Sequence, residues 1–464
     1  MVSWQLKWRR RSLINNTLQQ SNTVEEIEEI EDVEEVKEAE PRPDDFHHVT
    51  DKFDVPETQS ALLLHAIREP YKITSDYPVP QTQGEDELLV KVTAVGLNPI
   101  DWKAPDYNFG IPVLPYISGR ELVGIVLQPP SSPSHTRIRA GDLVTIPSTD
   151  YRDLRRAAFQ EYSIASSFNT IRLPTNTTPE SGAILGVAFV AAVLALGICM
   201  GVSFEGVLDG PDLLKIVQGI DAQRLPSDIR DECLNGIGSD DKAHKDDFLV
   251  IWGGSSTCAF IMKQLARLVG LKIISVVDSG KHGLRLSNHD KIRPDLLVDS
   301  HDPERAISVI RAATGHKARF GFDTQGKESA AHLLRALASN DTAATLPKDP
   351  QEYEAVKSKL PTPPSTPSES AKTTTTSHLV GLTGVPKTDI PNGVALHSIP
   401  IKLFHEIPEV GEALSEWCER LLARGLLVPP DVVGTVEGLE GINDGLDRLR
   451  RREISGGRLV AVWK

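Results

Sequence analysis

Cysteine is scarce in this chain: 464 residues carry four, Cys199, Cys233, Cys258 and Cys418. None forms a C-x-x-C pair or joins a Cys/His cluster at zinc spacing, which excludes a disulfide framework and a four-cysteine zinc lobe. So few thiols fit a reducing compartment, and the expected location is the cytoplasm. Aromatic residues are sparse as well, at 5%. Excess basic charge is missing: the formal net charge is −14, which leaves no global footprint for a nucleic-acid backbone. No apolar stretch follows the basic opening Trp4–Arg11, so no secretory signal is expected. Met1–Thr23 is basic and free of acid; it is read as a solvated tail, with a mitochondrial presequence as the alternative.

What remains is a soluble globular composition, 40% hydrophobic and 25% charged, long enough for two or three domains. The charge is uneven. Glu25–Glu40 holds ten carboxylates and one lysine, so residues 1–57 are expected to form a disordered acidic segment. From Ala61 the pattern turns to short strands at close spacing: Ala61–Leu64, Glu87–Val95, Gly119–Val126, Gly141–Ile146 and Phe159–Ile164. These predict a compact β-barrel or sandwich. Ala183–Met200 is an uncharged run of 18 residues, long enough to span a bilayer; it is read as a buried core helix, with a span as the lesser alternative. Gly201–Asp247 is expected to be a polar insertion. Phe248–Ala344 alternates strand and helix, the pattern of a doubly wound parallel sheet. Pro361–Thr376 is a Pro/Ser/Thr tract expected to be a mobile loop.

The strongest local signal is Val250-Ile251-Trp252-Gly253-Gly254-Ser255-Ser256-Thr257, an apolar strand emptying into a Gly/Ser turn that opens a helix. A dinucleotide diphosphate needs bare backbone N–H groups and the positive end of a helix dipole. Gly253 and Gly254 allow the tight turn and the close approach, while Ser255, Ser256 and Thr257 offer hydroxyls. The next strand ends at Val277. Asp278 after it favours a ribose diol and hence NAD; Ser279 and Lys281 favour a 2′-phosphate and hence NADP.

The chain resembles the medium-chain dehydrogenase/reductase superfamily, in its zinc-free quinone-reductase and enoyl-reductase branch, and is similar to the trans-acting enoyl reductases of fungal polyketide synthases. The resemblance is carried by Gly96-Leu97-Asn98-Pro99-Ile100-Asp101-Trp102-Lys103, Gly119–Val126, Phe159–Tyr162, Trp252–Ser256, Phe322-Asp323-Thr324 and Glu453–Val460. It implies an α/β protein: a GroES-like β-barrel catalytic domain begun at 58–185 and rejoined at 395–464. Between them it places a Rossmann domain at 186–394 with insertions at 201–247 and 347–377. It further implies hydride delivery from a nicotinamide, NADP(H) in most of the branch with NAD(H) as the alternative, to a small-molecule substrate with an activated C=C or to a quinone. A carrier-protein-bound or CoA thioester is a candidate, in a monomer or homodimer. Zinc is not expected, since zinc-dependent relatives carry a catalytic Cys where this chain has Leu97-Asn98-Pro99. By resemblance Asn98, Asp101 and Lys103 would line the cleft, although Asn98-Pro99 also reads as a turn and Asp101 as a helix cap. Asp323 and Thr324 would end a strand beside the cofactor, or Asp323 would cap a turn. Three positions depart from the pattern. Phe109 stands where a Tyr proton donor is found in mitochondrial relatives, which leaves Tyr107, two residues earlier, or water as the candidate donor and Lys103 as a candidate to stabilise the enolate; Ala191 and Ala259 replace a Thr and a Gly. A catalytically weak member acting as a binding protein therefore stands as the alternative.

Overall fold

The alternating apolar residues of the first half close a barrel. A computed structural model describes residues 45–51, 54–132, 137–148, 150, 152–338 and 376–463. Strand β1 (Thr58–Leu64) pairs antiparallel with β2 (Lys72–Pro78) and, after β3 (Glu87–Gly96) and helix α1 (Pro99–Tyr107), with β4 (Tyr116–Ile117). Strand β3 pairs antiparallel with β5 (Glu121–Gln128), and β5 with β6 (Leu143–Pro147). Strand β7 (Tyr162–Ser166) pairs with β3, and β8 (Ile171–Arg172) with β6. Leu88, Val90 and Val92 alternate into the barrel core with Leu62, Leu122 and Phe159, all essentially inaccessible. Part of the N-terminal segment belongs to this barrel, contrary to the expectation of disorder through residue 57. Phe46 is buried and bridges Pro174, and the Val49 amide donates to Gly141 O at 2.8 Å. Residues 1–44 lie outside the described residues.

The uncharged run follows a short helix, α2 (Pro179–Gly182), as helix α3 (Gly186–Leu194), and its last turn, Ala195–Cys199, opens to π geometry. By length and hydropathy Pro179–Cys199 would cross a bilayer, but 94% of its apolar window is buried within the fold. The 201–247 insertion corrects the expectation of a polar excursion. It holds α4 (Leu213–Gln218) and α5 (Arg230–Asn235), and Leu213, Val217, Leu225 and Cys233 pack into the same core as α3. Its apolar positions are spread too thinly for a periodic signal, yet tertiary packing buries them.

The second half is a six-stranded sheet: β9 (Phe248–Trp252), β10 (Lys272–Val277), β11 (Leu296–Asp299), β12 (Phe320–Asp323), β13 (Ser377–Gly381) and β14 (Val394–His397). Every pairing is parallel, in the order β11-β10-β9-β12-β13-β14. Helices α6 (Thr257–Leu268), α7 (Ser279–Asn288), α8 (Pro303–Thr314) and α9 (Lys327–Leu337) alternate with the strands. This is the Rossmann order, whose direction reverses between β9 and β12, and a crevice opens beyond the strand ends at such a reversal. Of the second insertion, 347–375 lies outside the described residues, and Ser377 already begins β13. The barrel is rejoined later than the expected 395. Strand β14 completes the parallel sheet, and after α10 (Lys402–Glu406) helix α11 (Pro408–Ala423) buries Leu414, Trp417 and Leu421 in the α3 core. Return comes with β15 (Val432–Glu437), α12 (Ile442–Arg450) and β16 (Arg458–Val462), the last pairing antiparallel with β3. All described residues fall in one compact unit.

Candidate cofactor cleft

The turn after β9 sits at the sheet's reversal point. Gly253 has φ +79°, and the amides of Gly253 and Gly254 both donate to Val276 O at 3.1 Å. A Cβ added at Gly253 would collide with the Thr324 hydroxyl, and one at Gly254 with that of Ser275, so both positions require glycine. Thr324, at the end of β12, donates its hydroxyl to Gly253 O at 2.9 Å. Ser256 caps α6, its hydroxyl accepting from the Ala259 amide at 3.1 Å. The amides of Thr257 and Cys258 have no intrahelical acceptor by helix geometry, so this end of the dipole is open to an anion. Below the turn, the fully buried Lys263 donates Nζ to Gly254 O at 2.8 Å. Burial, with nearby Arg285, brings its ammonium down to about 7.

Across from the turn stands Arg458, which opens β16. It is 7% exposed and donates to Thr257 Oγ1, to Asn98 Oδ1 and, at 3.3 Å, to Glu121 Oε1. Glu121 is fully buried and also accepts from Asn98 Nδ2 at 2.9 Å and from the Val187 amide at 3.0 Å. Burial raises its pKa, and the Arg458 charge opposes the rise. Barrel, C-terminal strand and Rossmann helix are thus tied through one guanidinium. In the sequence Arg458 stands out only as part of Glu453–Val460. The signal available was a cation directly after Gly456-Gly457.

A cavity of about 210 Å³ opens between these walls. Leu97 and Pro99 line one side; Gly253, Ser255, Ser256, Thr257 and Thr324 line the other, beside Gly456, Gly457 and Arg458. The structure therefore brings the expected phosphate turn and the start of the Asn98–Lys103 segment to one space. Its donor set (backbone amides, hydroxyls and one guanidinium at a helix N-terminus) fits a diphosphate and carries no carboxylate in its lining.

Other expected site residues fall elsewhere. Asn98 is the N-cap of α1, committed to Glu121 and Gly96, and Asp101 closes the capping box by accepting from the Asn98 amide at 2.8 Å. Asp101 is fully buried, which pushes its carboxyl up to about 7. It therefore holds the turn and does not line the cleft. Lys103 lies along the Trp102 ring, 5.8 Å from its centroid. Tyr107, 67% exposed, lines a different groove with Tyr71, Pro105, Asp106 and Arg450. Tyr107 is eight helical steps from Pro99, about 12 Å at 1.5 Å per residue. Asp323 is buried, and its Oδ1 accepts from the Gln325 and Gly326 amides at 3.1 and 2.8 Å; it shapes the turn that presents Thr324.

At the far end of β10, Asp278 caps α7, accepting from the Lys281 amide at 2.9 Å, and Ser279 gives both its amide and hydroxyl to Asp299 Oδ1. His301 stands 3.1 Å from Asp299 and 3.7 Å from Asp278, and Asp299 raises its pKa. Asp299 and His301 escape sequence motifs because they lie at and just beyond the end of β11, outside the span such motifs scan.

Comparison with known proteins follows the same lines. Residues 84–175 match the alcohol dehydrogenase GroES-like domain. The chain is 26% identical over 410 residues to the trans-enoyl reductase caaB of Aspergillus niger, covering 88% of this chain and 97% of that one. Two solved structures share the fold. An alcohol dehydrogenase superfamily protein from Novosphingobium aromaticivorans has a TM-score of 0.61 at 14% identity, over 88% of this chain and 100% of that chain. The Escherichia coli quinone oxidoreductase complexed with NADPH has a TM-score of 0.57 at 15% identity, over 87% of this chain and 99% of that chain. A GroES-like barrel and a parallel sheet in Rossmann order, matched over nearly the full length of these relatives, make the chain similar to the medium-chain dehydrogenase/reductase superfamily in its enoyl-reductase and quinone-oxidoreductase branch.

Proposed function

We propose that this protein is a zinc-independent, NADP(H)-using oxidoreductase that reduces an activated C=C, in an enoyl thioester or enone, or a quinone. The observation that carries the reading is the cavity at the sheet's reversal point, where the glycine turn, Thr324 and Arg458 face Leu97 and Pro99. When bound, the nicotinamide supplies a hydride. The protein's own residues bind and orient: the turn and the α6 N-terminus take the diphosphate, and Lys281 with His301 offers positive charge to a 2′-phosphate near Asp278. By resemblance Leu97-Asn98-Pro99 stands where zinc-dependent relatives carry a catalytic Cys, and both ends of the Asn98 amide are committed to Glu121, Gly96 and Arg458. Lys103 and Tyr107 stand away from this cavity, so the reading gives them no step, and the proton that completes reduction comes from water. The four free, buried cysteines suit a cytoplasmic enzyme. Steady-state assay with NADPH and NADH against enoyl thioesters and quinones tests the proposal. Oxidation of NADPH with at least one acceptor supports it, and none with any acceptor contradicts it. Because neither Lys103 nor Tyr107 lines the cavity, a second reading stands beside the first: a dinucleotide-binding protein without turnover, shown by stoichiometric binding in the absence of oxidation.

A further inference from the structure

Outside that cavity, the Rossmann half buries a second cluster of chemistry-bearing side chains. Cys199 closes the π turn after α3, Glu232 lies in α5 of the 201–247 insertion, and His397 ends the edge strand β14. One donor atom from each lies within 4.8 Å of the other two. His397 Nδ1 is 2.8 Å from Glu232 Oε1, and its Nε2 is 2.9 Å from Nδ1 of His378. Cys199 and His397 are 0% and 2% exposed. The Glu232 side chain is 17% exposed and gives the cluster its contact with solvent. His378, also buried, has no hydrogen-bond partner for Nε2 among the described residues.

A thiol, an imidazole and a carboxylate drawn from three separate elements form the mixed donor set of a borderline-soft cation; calcium and magnesium would take oxygens alone. One thiolate and one carboxylate neutralise a divalent charge, which makes the ion tolerable at a buried site. Metal-bound imidazoles are held by a partner on their other nitrogen, and His378 is in that place. A Glu–His hydrogen bond alone would need no thiol at the third corner.

We propose that Cys199, Glu232 and His397 form a zinc site, with water as fourth ligand and His378 as the residue that orients His397. The ion clasps the insertion to the end of α3 and to the sheet edge. On binding, the Cys199 thiol proton leaves to solvent, and His397 carries its single proton on Nε2, donated to His378. The site shares no residue with the glycine-turn cavity and does not depend on the redox reading.

Titration of the metal-free full-length protein with Co²⁺, then with Zn²⁺ as competitor, tests it. The expected result is uptake of one equivalent with a thiolate-to-cobalt charge-transfer band that Zn²⁺ abolishes. Cys199→Ser loses the band and Cys233→Ser keeps it. His378→Gln, outside the ligand set, weakens affinity about 10–100-fold. Zn²⁺ raises the Tm of the native protein and leaves that of Cys199→Ser unchanged. No stoichiometric uptake by the native protein, or uptake without the charge-transfer band, overturns the proposal even if a variant fails to fold. A band unaltered in Cys199→Ser overturns it as well.

Discussion

Lysine 263 shows how a single side chain can escape sequence reading. In Thr257–Leu268 it looks like the polar residue of an amphipathic helix, yet it points into the fold with its ammonium on the Gly254 carbonyl. Its folded pKa of about 7 lies below the ordinary 10.5, so between those values the unfolded chain binds more protons. The group therefore makes stability rise as pH climbs through that window. Lys263→Met should flatten this rise in urea unfolding measured from pH 7 to 10. Asp101 runs the other way. Its folded pKa of about 7 exceeds the ordinary 3.8, so its contribution is full below about 4 and is lost as pH rises to 7. Asp101→Asn keeps an acceptor for the Asn98 amide and should remove that decline while leaving the fold intact. Asp101 and Asp323 were nameable from motifs, but whether a carboxylate faces a ligand or a backbone amide is decided by packing that a sequence does not display.

At the scale of elements, strands and the phosphate turn were legible because period-two alternation and a Gly-Gly dipeptide are local signals. The insertion and α11 were not, because their burial depends on each other. Trp417 donates its indole N–H to Val207 O at 3.0 Å and packs on Phe204 with ring centroids 4.6 Å apart. Neither residue has a partner of its own type within reach in sequence. Trp417→Ala should destabilise by about 3–5 kcal/mol, the range for a large buried aromatic, and should loosen 201–210 first. Hydrogen exchange would show this as lost protection in that segment before the barrel strands. Equal loss everywhere would argue against α11 as the anchor of the insertion.

Across the whole molecule, a discontinuous barrel and a Rossmann sheet share one buried network, in which Arg458 joins the Asn98, Glu121 and Thr257 side chains. Removing it leaves the buried Glu121 without its ion-pair partner, a change that is strongly destabilising, by about 3–5 kcal/mol in comparable cases. Arg458→Met should lower Tm and also weaken dinucleotide binding. The paired change Arg458→Met with Glu121→Gln should recover stability without recovering binding, because the lost phosphate contact is not replaced. Recovery of both would show that Arg458 serves only as a structural link. That the chain ends meet in one barrel was readable only through resemblance, since no local pattern pairs residue 96 with residue 460.

The most direct test of the account is calorimetric titration of NADPH into the native protein and into Gly253→Val. A valine there is forced to positive φ and placed against the Thr324 hydroxyl, where only glycine fits. The account predicts one NADPH per native chain and affinity at least about tenfold weaker in a variant whose circular dichroism is unchanged, a difference of about 1.4 kcal/mol. Equal affinity in the two proteins, or no binding by the native chain, would contradict it.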